Sequence, residues 1–303
     1  MASALPQNLR LGIGLIIFAA FVISVSDIVF RLYVPHLSLW QVFAVRGVLT
    51  LPLLMVIGWR HMRQFPAAFA PWPLLRASTF AMTLLLFYAA LPYLSQATVG
   101  AANYTAPLFV AILSAWLLRE GLGRIGYLGL GIGFAGIIVL LQPGTEAFSP
   151  WVLLPICGAI CYAISHTITR AKCQHLSPLS LSFGQNTMMM LFGFLFGALF
   201  LVFSPGGEIA AEYPEIFGAW PSLSQMDWGI LLGLGLLTIL ASTMIARAYQ
   251  SAPGPIVATF EYTYLIFAAG WDAMRGVTPT TVSLLGVLMI ILAGVLVLRK
   301  ANP

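Results

Sequence analysis

Few ionisable side chains fall inside the long apolar runs of this chain: Asp27, Arg46, His166 and Glu261. A charge within a bilayer is costly unless it meets a partner or a water-filled cavity, so each is a candidate for function. Asp27 lies ~7 Å outward of the middle of its run and Arg46 a few ångströms outward in the next, which makes them natural ion-pair partners. His166 and Glu261 lie ~6 Å to the cytoplasmic side of the middle of theirs, a second expected pair. Such pairs either hold helices together or line and gate a path, and both readings stand at this point. Asn103 sits near the middle of its run and offers both a donor and an acceptor. Thr79, Thr83, Tyr162, Thr169, Ser242 and Thr259 add hydroxyls for a substrate carrying an ammonium and a carboxylate. Met82, Phe87, Tyr88, Tyr104, Phe260 and Tyr262 supply aromatic or flexible walls for an apolar side chain. Aromatic residues on membrane helices also serve packing or face lipid.

Covalent chemistry has no candidate. There is no HExxH, no Gly-x-Ser-x-Gly and no paired acids on one helix, so an enzyme is not expected, nor a cofactor or a metal. Cys157, Cys161 and Cys173 lack metal spacing with other ligands and read as small packing residues.

The elements that must position these side chains follow from composition. The chain is 60% apolar and 8% charged, against about 25% charged in soluble domains. That balance points to a polytopic membrane protein. Ten spans are expected: Leu11–Val34, Leu39–Trp59, Leu74–Leu94, Ala97–Leu118, Arg124–Leu141, Trp151–Cys173, Leu179–Phe203, Trp228–Tyr249, Pro255–Met274 and Thr281–Leu298. The first exceeds a signal-peptide core and lacks a small-residue cleavage site after it, so it is expected to stay as a span. Gln142-Pro143-Gly144 signals a turn, and Ser204–Met226 is the only long loop. Trp40, Trp59, Trp72, Trp151 and Trp228 sit at span ends and read as interfacial anchors. Pro107, Pro155 and Pro253 are hinges or static kinks.

With the N-terminus inside, the cytoplasmic side holds Arg10, Arg60, Arg63, Arg76, Arg119, Arg124, Arg170, Lys172, Arg247, Arg299 and Lys300, and the far side only Arg31 and Arg275. Both termini are therefore expected in the cytoplasm. The scattered basic residues form no patch for nucleic acid.

An internal repeat is visible. Ser24–Ser38 overlays Ala163–Ser177, matching Asp27 to His166, Arg31 to Arg170 and His36-Leu37-Ser38 to His175-Leu176-Ser177. In a second register Tyr93 meets Tyr249, Asn103 meets Thr259, Tyr104 meets Phe260 and Arg119 meets Arg275. One insertion, the outward loop, separates the two registers. Five spans per repeat turn the second half upside down, as in transporters that bind substrate near the midplane. The fold expectation is thus an all-α polytopic membrane protein of ten transmembrane helices, as two inverted five-helix repeats over residues 1–145 and 146–303.

The residues that carry a family resemblance are Pro107, Leu117-Leu118-Arg119-Glu120, and then Gly129, Gly133 and Gly136. With the two-repeat layout they resemble the drug/metabolite transporter superfamily and its EamA-type exporters, and the whole chain looks most like the bacterial aromatic amino-acid exporter branch. That resemblance implies a secondary transporter of the inner membrane, without ATP hydrolysis. It implies export of amino acids, aromatic ones included, with export of other small organic metabolites or drugs as the alternative. The expected partners are that substrate and the lipid bilayer, and a monomer is the working expectation. Glu120 has Gly276 as its mate, so Arg119–Glu120 reads as a cytoplasmic anchor. No membrane carboxylate recurs in both halves, which favours facilitated diffusion over proton coupling.

Overall fold

Lipid offers no partner to a bare N–H or C=O, so a chain this apolar must close its backbone hydrogen bonds within helices. The computed structural model does so: every regular element among the described residues (8–34, 36–90, 93–94, 99, 102–141, 149–203, 207–274 and 281–301) is helical. In chain order these are α1 (Leu9–Tyr33), α2 (Leu39–Ile57), α3 (Pro71–Ala90), α4 (Ala106–Leu113), α5 (Gly123–Leu141), α6 (Leu153–Lys172), α7 (Pro178–Val202), α8 (Gln225–Ser251), α9 (Gly254–Glu261), α10 (Thr263–Met274) and α11 (Thr281–Ala301). Among the described residues six stretches are long and apolar enough to cross a membrane: Leu9–Phe30, Leu39–Ile57, Pro71–Ala90, Pro150–Lys172, Pro178–Val202 and Gln225–Ser251. The chain is an all-α polytopic membrane bundle. The expected turn at Gln142–Gly144, the pair Arg275–Gly276 and the Arg31 side chain lie outside what is described.

Local chemistry sets the helix starts. The Asn8 side chain accepts from the Leu11 N–H at 3.1 Å and opens α1. Ser177 caps α7, with Pro178 in the first turn where its missing N–H costs nothing. Ser224 and Asp227 form a reciprocal capping box that opens α8, and His36 closes on the same Asp227 at 3.2 Å. Pro155 falls in the first turn of α6, so it is no mid-helix hinge.

Two expected spans, Ala97–Leu118 and Pro255–Met274, are not continuous helices. The first is interrupted by a turn at Tyr104–Thr105. Pro107 has no N–H to offer the Asn103 carbonyl, and the Ala102 carbonyl instead accepts from the Thr105 N–H at 3.1 Å and the Thr105 hydroxyl at 2.6 Å. The second is interrupted at Tyr262. There the Phe260 carbonyl accepts from the Thr263 hydroxyl at 2.7 Å, and the Tyr262 carbonyl takes the Leu265 N–H in a tighter turn. Both breaks use a threonine hydroxyl bonded three residues back. Beyond α4 the chain makes one π turn, Ser114–Leu118, and stops at Arg119 in the left-handed region (φ 58°).

Four helix pairs make up most of the bundle: α1 on α8, α3 on α6, α2 on α7 and α5 on α11. Close approach needs glycine at the crossing. A side chain at Gly193 would meet the Ala44 nitrogen at 2.6 Å, and one at Gly136 the Gly286 carbonyl at 2.9 Å. Part of the long connection between α7 and α8 is seated on the bundle: Tyr213, Ile216, Phe217 and Trp220 pack with α2 and α7. The Trp40 indole donates to the Ile216 carbonyl at 2.8 Å, and the Gln41 amide to the Pro221 carbonyl at 2.7 Å. Trp40 is therefore buried in an aromatic cluster and is not the interfacial anchor expected, whereas Trp59, Trp72, Trp151 and Trp228 are exposed as anchors should be. Cys173 is buried, but Cys157 faces outward and does not pack.

Two of the eleven arginines and lysines expected at the cytoplasmic surface, Arg76 and Arg170, are wholly buried. Arg170 holds Glu120 through Nη2 at 2.7 Å and Nε at 3.0 Å, and its Nη1 donates to the Gln250 carbonyl at 3.0 Å. The Gly254 N–H, at the start of α9, also donates to Glu120 at 3.4 Å. Glu120 is thus no surface anchor; it neutralises a buried guanidinium and ties α4, α6, α8 and α9 together, while Arg119 alone is exposed. Glu120→Ala leaves Arg170 buried without its counter-charge. It should cost about 3–5 kcal/mol of stability, read as a lowered unfolding midpoint in detergent, with Arg119→Ala near wild type.

Candidate functional site

The two helix breaks stand on either side of a column of polar and aromatic side chains. Its centre is Glu261, the last residue of α9. One of its oxygens accepts from the Tyr162 hydroxyl of α6 at 2.9 Å and from the Tyr249 hydroxyl of α8 at 2.8 Å. His166, one turn beyond Tyr162, is fully buried between the same two rings. It stacks on Tyr249 at 4.3 Å and 19° and lies 4.2 Å from Tyr162, with Phe80 edge-on at 6.1 Å. The expected His166–Glu261 ion pair does not form: the two tyrosines occupy the carboxylate, and among the described residues neither ring nitrogen of His166 has a hydrogen-bond partner. A carboxylate held by hydroxyls has no cation to offset its desolvation, so it suits a ligand group that brings a positive charge or donors.

From Glu261 the column continues toward the other end of the bundle. Tyr104, at the first break, lies within electrostatic reach of Glu261 and Asp27 and 6.1 Å from the Tyr264 ring. The Tyr264 hydroxyl donates to Asp27 at 2.6 Å. Asp27 and Tyr88 in turn lie within reach of Arg46, whose guanidinium sits 5.5 Å over Phe43. The Asn103 side-chain oxygen, beside Tyr104, is buried with no hydrogen-bond partner among the described residues.

The remaining candidates take other places. Thr83 donates to the Gly158 carbonyl at 3.0 Å and binds α3 to α6. Thr169 accepts from Arg76 at 3.0 Å. Ser242 bonds Ser182 between α8 and α7, and Thr259 turns back on the Pro255 carbonyl at 2.8 Å. Thr79 bonds its own helix at the Leu75 carbonyl, and Met82 is half-buried on the same helix. Phe87 meets Tyr88 edge-on at 5.2 Å. Tyr262 packs with Ala111, Ile137 and Ile290, its hydroxyl buried and unpartnered, and Phe260 joins the core beside Val257 and Ala258. A separate apolar groove of about 400 Å³ between Val29 and the α8 face at Ile230 and Leu240 has no polar group to hold a solute.

Sequence reasoning missed Tyr249, Tyr264 and Arg76. Tyr249 had a signal, because it is the repeat mate of Tyr93. Tyr264 lies three residues past Glu261 but beyond the break at Tyr262, so helical spacing does not place it. Arg76 reads as a flanking charge in the sequence because it lies only five residues past Pro71, at the start of its apolar run.

The geometry gives a double test. Tyr162→Phe and Tyr249→Phe each leave Glu261 one donor, and each should cost about 1–3 kcal/mol. The double variant strips both and should exceed the sum of the singles, which thermal unfolding of the purified protein measures as a coupling.

Comparison with known proteins identifies relatives of the chain. A model of the EamA-like transporter family matches residues 10–142. The riboflavin transporter of Vibrio cholerae serotype O1 is 30% identical over 244 residues, covering 78% of this chain and 74% of that protein. The pseudopaline exporter CntI of Pseudomonas aeruginosa is 22% identical over 292 residues, covering 94% of this chain and 95% of that protein. A solved crystal structure superimposes with a TM-score of 0.73, covering 97% of this chain and 98% of the other, at 15% identity, and that likeness speaks to the fold alone.

Proposed function

We propose that this chain, which belongs to the EamA-like transporter family and is a multi-pass secondary transporter of small organic molecules in a bacterial inner membrane, exports a polar metabolite with a planar or aromatic part through the column around Glu261. One observation carries the reading. Two apolar helices are interrupted within two residues of matching points in the repeat, at Tyr104–Thr105 and at Tyr262, each with its threonine brace. Paired discontinuous helices of this kind mark a solute site near the midplane, because irregular backbone is tolerated at that depth only where protein or a cavity surrounds it. Asn103, Tyr104 and Glu261 border the breaks, and the flat faces of Tyr162, His166 and Tyr249 suit a planar ligand.

The transport cycle we infer is alternating access between two inverted five-helix halves, residues 1–145 and 146–303, with both termini in the cytoplasm. The packing supports it. Exchanging each helix for its expected mate turns the α1–α8 contact into α6–α3, turns α2–α8 into α7–α3, and returns α2–α7 and α5–α11 onto themselves. The basic residues exposed on the inferred inner side, such as Arg60, Arg63, Arg119 and Arg247, support the orientation.

For the substrate, the broad reading is a small organic metabolite, favoured by relatives named for riboflavin and pseudopaline. Amino acids, aromatic ones included, are the narrower reading. It rests on the resemblance to the aromatic amino-acid exporter branch and on the donor and acceptor of Asn103. Counterflow in proteoliposomes with labelled riboflavin and a panel of amino acids separates them: saturable exchange of riboflavin without amino-acid competition supports the broad reading. Absence of saturable exchange for every compound would remove the transport reading of the column. Asn103→Ala should lower the exchange rate about tenfold or more, equivalent to one lost hydrogen bond, with unchanged insertion and yield; wild-type kinetics in that variant would remove Asn103 from the site.

A further inference from the structure

Two arginines are buried to the same degree, Arg170 at 0% and Arg76 at 1% exposure. Arg170 has its carboxylate in Glu120. Arg76 has none: among the described residues it makes no ion pair, and its contacts are to neutral acceptors. Its Nε donates to the Thr169 hydroxyl at 3.0 Å and its Nη1 to the Leu181 carbonyl at 3.0 Å. The Ser165 hydroxyl donates to the Arg76 backbone carbonyl at 2.9 Å. These bonds fix one edge of the guanidinium among α3, α6 and α7 and leave Nη2 buried without a partner among the described residues.

The neighbouring polar group has the same deficit. His166 follows Ser165 on α6, is fully buried, lies within electrostatic reach of Arg76, and has both ring nitrogens unpartnered. A planar cation held by two neutral acceptors, with a free N–H edge beside a free imidazole, is complementary to a carboxylate or phosphate oxygen. A ligand that brings that oxygen removes the cost of an uncompensated charge, which a structural anchor made of neutral acceptors does not.

We propose that Arg76, with His166 beside it, is the anion-binding pole of the transport column and selects substrates that carry a carboxylate or a phosphate. This rests on the column around Glu261 being the solute path. Arg76 and Glu261 are then poles of opposite sign joined by the α6 face that runs from Tyr162 through His166 to Thr169.

The test uses matched probes that differ only in the anion: riboflavin against riboflavin 5′-phosphate, and phenylalanine against phenylalanine amide, as competitors and as labelled solutes in proteoliposome counterflow. Wild type should favour the anionic member of at least one pair. The phosphate pair and the carboxylate pair separate the two anion chemistries. Arg76→Gln should lower the ratio of exchange with the anion to exchange without it by roughly 10- to 100-fold. If Arg76→Gln fails to fold, His166→Phe, which keeps the aromatic stack and removes both nitrogens, should weaken the same preference. Saturable exchange with no preference for either anion, or a preference unchanged by both variants, overturns the proposal and leaves the column reading intact. No saturable exchange of any probe defeats the column reading itself and this proposal with it.

Discussion

The bidentate contact between Glu120 and Arg170 joins the end of α4 to α6. Through the Gln250 carbonyl and the Gly254 N–H it also sets where α8 stops and α9 begins. The consequences run down the chain. α9 is a short helix, Gly254–Glu261, so fixing its first residue fixes its last. Tyr249 is held by the same corner, because the Gln250 side chain donates to the carbonyls of Cys173 and Leu176. The two tyrosine hydroxyls on Glu261 come from α6 and α8, the helices that Arg170 already binds together. An ion pair at one end of the bundle therefore determines the position of a carboxylate about two helical turns away. The desolvation of Glu120 is offset by two short contacts, 2.7 and 3.0 Å, to one buried guanidinium.

The sequence carried the all-helical membrane class, most helix boundaries to within a few residues, and the ionisable residues that form the column. Composition and apolar run length are enough for the first, and scarcity makes the last conspicuous. The partners were harder. Depth along a helix is readable from spacing, but azimuth is not, so His166 and Glu261 share a level without sharing a bond. A tyrosine hydroxyl carries no formal charge, so Tyr162 and Tyr249 did not present themselves as the partners of Glu261. Arg76 and Arg170 looked like ordinary flanking charges because a count of basic residues at span ends has no access to burial. Trp40 failed in the same way: the segment that covers it lies far along the chain, and nothing local announces that contact.

Both interrupted helices were legible only in part. Pro107 pointed to the first, since a missing N–H at that position must free the Asn103 carbonyl. No proline or glycine stands at Tyr262, so the second break had only its repeat mate to suggest it. The hydroxyls of Thr105 and Thr263 are the common device. Each gives a carbonyl an alternative partner within the same turn, which makes a local change of helix geometry cheap.

Gly133 of α5 lies directly against the Tyr262 ring, with Ala293 of α11 on its other side. The outer pair α5–α11 thus rests on the residue that separates α9 from α10. Much of that pair's remaining surface faces the bilayer, through Ile125, Leu128, Ile138, Leu288, Leu292 and Val295. A tilt of α5 to match a thicker or thinner membrane is, with no spacer between, a displacement at Tyr262. The lipid is in this sense a mechanical component of the protein, bearing through one glycine on the backbone beside Glu261.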